Sequence, residues 1–330
     1  MKKLFALVLT LTLVLSLAAS ASAITIAFSQ IGQESDWRTA NTDSVTNAIE
    51  GHEGWEFVYS DGQQKQENQI QALSNFINQG VDYILFTGVV TSGWDDILKE
   101  VNENEIPLIL LDRIPDCADK IDYVAAFGGD FPLEGRRQVQ WTGEYLKSIG
   151  RDSEDVGVAI MEGTTGADAQ VGRTEGNLAA MADYPFLKEV VRSSGNFTRA
   201  EGQALMETWL KSYEGQIDVL IAQNDDMALG AIDAIKAAGL VPGKDIIIVG
   251  CDSVKAAFEA IVAGEMNATI ECNPLYGPFV VDCIEKLEAG ETFDKTVIHP
   301  EEGVYDCVGG IEVEGTTSVL AADVIDERQY

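Results

Sequence analysis

Short apolar runs of strand length alternate along this chain with segments whose apolar residues recur at helical spacing. Ile24, Ile26 and Phe28 alternate with small residues in a β-forming run. It gives way at Ser29 and Gln30 to a polar stretch carrying Glu34, Asp36, Trp37 and Arg38, where a helix would begin. Trp55 to Ser60 reads as a second strand. DGQQKQENQIQALSNFINQG then reads as a turn and an amphipathic helix, with Ile70, Leu73, Phe76 and Ile77 on one face and Gly80 at its end. VDYILFTG is the next strand, GWDDILKEVNENE the next helix, and IPLILLDR a strand ending in Asp112 and Arg113. Alternation of this kind predicts a parallel sheet.

The same order of events recurs downstream. VGVAIMEG is a strand leading into the loop GTTGADAQ and a helix with Arg173, and VVRSSGNFT is the next strand and loop. A helix follows over GQALMETWLKSYEGQ. IDVLIAQNDD then echoes VDYILFTG, and DIIIVGCDS echoes IPLILLDR, with a helix between them that ends at Gly239, Pro242 and Gly243. The repetition predicts two βα domains of one design. NATIECNP, LYGPFVVDCIEKLEAG and a strand-like tail from Thr296 to Val313 are left over. They imply that the chain crosses between domains more than once, which makes a hinge rather than a loose linker.

Open α/β sheets bind ligands at the carboxyl ends of their strands, and those ends nominate a site. The first half offers Glu34, Trp37, Arg38, Asp112 and Arg113, with Gln63 and Thr87 as lesser candidates; the second offers Arg173, Phe197, Asn224, Asp225 and Asp252. Carboxylates and guanidinium forks that each engage two hydroxyls, beside aromatic rings, suit a neutral polyhydroxylated ligand. Each residue also has a plainer reading. Asp112 and Arg113 could form a surface pair, Arg173 could lie on a solvated helix face, Asn224 and its neighbours could cap the following helix, and Phe197 could be core. GTTGADAQ lacks the Lys-Ser/Thr pair that follows the last glycine of a phosphate-binding loop.

Charge and composition narrow the classes. The chain carries 54 acidic against 22 basic residues, a net charge of −32, and no basic cluster, which opposes nucleic-acid and anionic-membrane partners. Lys2 and Lys3, an apolar run and Ala21-Ser22-Ala23 read as a secretory leader over residues 1–23, cut after Ala23. Five cysteines at scattered spacings and only two histidines argue against a zinc site, and their odd number leaves at least one thiol over from any disulfides within the chain. Neither His52 nor His299 sits at a strand end beside a nucleophile. An enzymatic alternative uses Asp112 and Asp252 as the carboxylate pair of a glycosidase. Their basic or polar neighbours predict that both stay ionised, whereas hydrolysis needs one protonated, so no turnover is expected.

FSQIGQESDWRTA, DGQQKQENQIQAL, GVVTSGW, IPLILLDR, SGNFTRAEG, QNDDMALGAIDAIKAAGLVPGKDI and GEMNATIECNP together resemble the ribose-type (pentose/hexose) family of periplasmic sugar-binding proteins that serve ABC importers. Within it the chain is most similar to the galactofuranose-binding members of enteric bacteria. The resemblance implies a type I periplasmic binding protein: two Rossmann-like domains with parallel sheets, joined by a three-crossover hinge that closes on ligand. Crossings are implied near Gly129-Asp130, Cys272-Asn273 and Glu301, dividing the chain into 24–129 plus 273–301 and 130–272 plus 302–330. Sugar contacts are implied at Glu34, Trp37, Arg38, Asp112, Arg113, Arg173, Asn224 and Asp252, with Phe197 as a stacking ring. The implied ligand is a monosaccharide, galactofuranose or a related hexose or pentose, delivered by a monomer to permease subunits without a cofactor. A chemotaxis or quorum-signal receptor would use the same cleft. Cys272 departs from the polar residue that ribose-type relatives place there. The lactose-repressor family shares the fold, but the leader stands where its DNA-reading helix-turn-helix would be.

Overall fold

The computed structural model describes residues 23–293, 297–300 and 302–330. All of the expected leader but its last residue Ala23, the Thr296 start of the expected terminal strand and Glu301 at the third expected crossing lie outside the described residues. The first sheet is built in chain order from β1 (Ile24–Gln30), α1 (Asp36–Glu50), β2 (Trp55–Asp61), α2 (Gln66–Gln79), β3 (Tyr83–Phe86), α3 (Asp95–Glu103), β4 (Leu108–Leu111) and β5 (Ala125–Phe127). The second follows from α4 (Phe131–Ser148), β6 (Val156–Glu162), α5 (Asp168–Met181), β7 (Leu187–Ser194), α6 (Arg199–Ser212), β8 (Val219–Ala222), α7 (Asp225–Ala237), β9 (Ile247–Asp252), α8 (Lys255–Val262) and β10 (Ala268–Glu271). Then come α9 (Gly277–Glu288), β11 (Val297–Ile298), β12 (Val304–Asp306), β13 (Glu312–Val313), β14 (Thr316–Thr317) and β15 (Val319–Leu320).

The sheets run β11-β5-β4-β3-β1-β2 and β15-β12-β10-β9-β8-β6-β7. All neighbours are parallel except β10 and β12, so the protein has two α/β domains. The chain passes from the first domain to the second between β5 and α4. It returns between β10 and α9, which packs on α1, and crosses again between β11 and β12.

Because helices cover both faces, the central strands are apolar throughout. On β1, Ile26 and Phe28 face one core while Ala27 faces another, formed beneath α2 and α3 with Leu73, Phe76 and Trp94. All six are fully or almost fully buried. Truncating Phe28 to Ala would cost roughly 3–5 kcal/mol.

Three elements escape the periodicity reading. β5 is only three residues long, and α8 only eight. In α4, Glu134, Arg137, Gln138 and Thr142 are buried among its apolar residues, which blurs the apolar stripe. The tail expected to run as one strand-like segment divides instead: β11 joins the first sheet, β12 joins the second, and β13 pairs with β14.

Candidate functional site

Ser35 ends the loop after β1 as the N-cap of α1, its side chain accepting from the Arg38 amide. This fixes Glu34, Trp37 and Arg38 on the last turn of loop and the first of helix. Arg38 donates to Glu34 through Nε at 3.0 Å and to Asp112 through Nη2 at 2.6 Å. Asp112 stands past the end of β4 with φ 60°, a left-handed conformation that aspartate tolerates better than most residues. Arg113 lies 3.8 Å from Glu34 and 3.7 Å from Asp112, and its Nη1 donates to the Val89 carbonyl. That loop is clamped by fully buried Gln69, which donates to the Thr87 carbonyl at 2.7 Å and accepts from the Val89 amide at 3.0 Å. The Trp37 indole N–H donates to the Cys272 carbonyl at 2.6 Å, tying the first domain's ring to the second crossing.

In the second domain, Arg173 projects from α5. Its Nε donates to Glu134 at 2.6 Å, its Nη1 to the Gln223 carbonyl, and its Nη2 lies 3.5 Å from Asp252. Asn224 caps α7 by accepting from the Met227 amide and donates to the Phe197 carbonyl, so it both caps and faces the site. Phe197 is buried at φ 62° with its ring over Gly163. A Cβ at residue 163 would lie 1.8 Å from Phe197 Cζ, so only glycine leaves room for the ring. Across the domain boundary, the Arg113 guanidinium sits 5.1 Å from the centre of that ring.

The candidates converge. A small cavity is lined by Glu34, Trp37, Arg38, Asp112 and Arg113 from the first domain and by Arg173, Phe197, Asn224 and Asp252 from the second. Ser35, Ala169 and Cys272 complete it. The space enclosed between these side chains is about 20 Å³, room for about one water, so the two domains stand closed on each other around it. The lesser candidates Gln63 and Thr87 do not line it, nor does Asp225, which is fully buried and accepts from Thr269 Oγ1 and the Val254 amide. The domains meet around the cavity. The Asp36 amide donates to Asp226 and the Ile114 amide to Asp168, each at 2.9 Å, and the Thr91 amide donates to the Gly166 carbonyl.

Burial and charge oppose one another here. Burial raises the Glu34 carboxyl, but Arg38 and Arg113 outweigh it and hold it below the usual range. Burial also opposes the Arg38 charge, yet Asp112 and Glu34 raise its basicity. Arg113 is lowered by burial and by the like charge of Arg38. Burial pushes Asp252 well up, more than Arg173 can offset, which corrects the expectation that both strand-end aspartates stay ionised. Behind the site, Glu302 is pushed up to about 10 by burial and by Glu134. Sequence reading missed Gln69, Glu134 and Glu302. Gln69 lies in a stretch singled out for its resemblance, but a glutamine that clamps a loop looks like any helix-surface glutamine. Among the described residues all five cysteines are free thiols, and no helix is long and apolar enough to cross a membrane.

Comparison with known proteins agrees with the two-domain fold. The model of the periplasmic binding protein domain matches residues 26–276. The chain is 38% identical over 284 residues to the galactofuranose-binding protein YtfQ of Escherichia coli (strain K12), covering 86% of this chain and 87% of that protein. A structure from Mycobacterium smegmatis in complex with β-D-fucofuranose is 43% identical with a TM-score of 0.82, covering 86% of this chain and 92% of that one. The binding protein of the arabinose ABC transporter of Shewanella sp. ANA-3, bound to α- and β-L-arabinofuranose, is 36% identical with a TM-score of 0.81, covering 92% and 95%. YtfQ and the Shewanella protein are binding proteins, and it is this kinship, not the ionisation of Asp252, that sets the glycosidase reading aside. The chain belongs to the periplasmic binding protein family, with its type I fold.

Proposed function

We propose that this protein is an exported receptor that closes its two domains over one monosaccharide, galactofuranose or a related hexose or pentose, and presents the closed form to the permease of an ABC importer. The convergence of polar and aromatic side chains from both domains on one small cavity carries the reading. A ligand shifts an open–closed equilibrium only through differential affinity, and contacts from both sides of the cleft exist only in the closed form. Glu34 and Asp112 accept sugar hydroxyls, Arg38, Arg113 and Arg173 donate to them, Asn224 and Asp252 contact them from the second domain, and Trp37 and Phe197 cover the C–H faces.

The relatives bound to fucofuranose and arabinofuranose favour the five-membered ring form. The domains divide as 24–129 plus 273–301 and 130–272 plus 302–330, which accords with the strand order. The leader is cut after Ala23, and the mature protein acts as a periplasmic monomer.

Calorimetric titration of protein freed of carried-over ligand, against galactose, a furanose-locked galactoside, arabinose, ribose, xylose and glucose, tests the reading, with each mixture checked for turnover. One-to-one binding of the furanose-capable sugars without product is expected. Heat from none of them, or release of product, overturns it.

A further inference from the structure

Asp252 faces the cavity from a backbone that residues with a Cβ seldom adopt: φ is 118° there and 62° at the next residue, Ser253. Such a turn is costly and persists only where its surroundings fix it from several sides. Two of its holds come from the second domain's own elements. The Ser253 amide donates to Thr269 Oγ1 on β10 and the Val254 amide to Asp225 on α7, each at 3.1 Å. A third comes from the tail beyond β15. Arg328 Nη2 donates to the Ser253 carbonyl at 2.9 Å, and its Nη1 pairs with Glu271 Oε1 at 2.9 Å. Glu271 ends β10, immediately before cavity-lining Cys272. The rings of Phe258, Tyr305 and Tyr330 surround the guanidinium, with their centres 4.9, 5.1 and 4.6 Å away. Tyr330 also donates to Glu271 Oε1, and its main-chain oxygen accepts from the Lys255 amide at the start of α8.

We propose that Arg328 is a positioning residue: from outside the cavity it holds the Asp252–Ser253 turn and so aims the Asp252 carboxyl at the ligand. That the ligand is a sugar rests on the function proposed above; the hold on the turn does not. Arg328 does not line the cavity and lies 75 residues along the chain from Ser253, so it acts on a ligand only through that turn. A planar fork can grip the Ser253 carbonyl and the Glu271 carboxylate together, whereas an ammonium is a single point of charge. The ring faces favour the cation where it stands, which presets the fork before a ligand arrives.

Arg328→Lys keeps the charge and the stem but loses the fork, and it tests the proposal in two ways. Amide hydrogen exchange of the sugar-free protein, followed residue by residue, should speed up about tenfold or more at Ser253 and Val254 while β1 keeps its protection. Unchanged exchange at the turn overturns the proposal whether or not any sugar binds. In calorimetric titration with galactose, arabinose and a furanose-locked galactoside, the same variant should weaken binding about tenfold. Combined with Asp252→Asn it should weaken binding hardly further, because the side chain it aims is already altered. Equal losses in both backgrounds would show a merely structural role and overturn the proposal, as would unaltered affinity in Arg328→Lys alone. Silence of the unaltered protein toward all three sugars counts against the sugar reading, and the exchange result then decides the role of Arg328.

Discussion

The two halves of the cavity are built from equivalent strand ends but are wired differently. In the first domain Arg38 and Arg113 share Glu34 and Asp112, so cations and anions that face the cavity also neutralise each other. In the second domain the guanidinium of Arg173 is drawn backwards to Glu134 at 2.6 Å, while cavity-facing Asp252 lies 3.5 Å away. Two left-handed aspartates at echoing positions, φ 60° at Asp112 and 118° at Asp252, therefore meet different fields. The first half is a closed ionic scaffold that stands formed before ligand arrives; the second holds an under-partnered acid that a ligand's hydroxyls would satisfy.

The largest effect that bears on this contrast is Asp112→Ala. Removing one partner of a buried pair costs roughly 3–5 kcal/mol of stability, and sugar binding should fall below calorimetric detection. Asp252→Asn should cost less stability than Asp112→Asn at neutral pH, by thermal melting; equal losses would erase the asymmetry. Next, Gly163→Ala pushes on the Phe197 ring and should cost about 1–3 kcal/mol of overpacking, read as a higher sugar Kd in a folded protein. Unchanged affinity would remove that ring from the second half's contribution. Trp37→Phe keeps a ring but loses the N–H bond to Cys272, and should weaken every sugar alike by about 0.5–1.5 kcal/mol. Selective loss of one sugar would show that the indole reads hydroxyls.

The smallest effect is a pH dependence at the domain boundary. Burial pushes Asp226 up to about 7 from an ordinary 3.8, against the opposing bond from the Asp36 amide. Since the folded value exceeds the unfolded one, the stabilisation is complete below about pH 4 and is lost as the pH rises through about 7. Asp225, pushed up to about 8 by burial, acts in the same direction. Melting temperature should therefore fall between pH 5 and pH 8, and less steeply in Asp226→Asn. An equal slope in the variant would show that this boundary contact does not titrate.

Much of this was legible along the chain because strand and helix periods are local. Ile26 and Phe28 alternate with Ala27 whatever surrounds them, and each strand's polar end marks where its loop leaves the sheet. That was enough to nominate Arg38, Asp112, Arg173 and Asp252. It was not enough for α4, whose buried Glu134 and Gln138 hide its apolar face. Nor could it reveal Gln69, whose amide acts on a loop 18 and 20 residues away.

Sequence by itself determined the alternation, the duplicated design and the inventory of side chains at the strand ends, because each depends on neighbours a few residues apart. Tertiary structure alone decided which of those ends share a cavity, which carboxyls lose their water and which guanidinium finds which anion. Arg38 reaches Asp112 across 74 residues and Trp37 reaches Cys272 across 235. Charge, burial and proton affinity at such contacts are set by what folding brings within a few ångströms, and no local pattern records it.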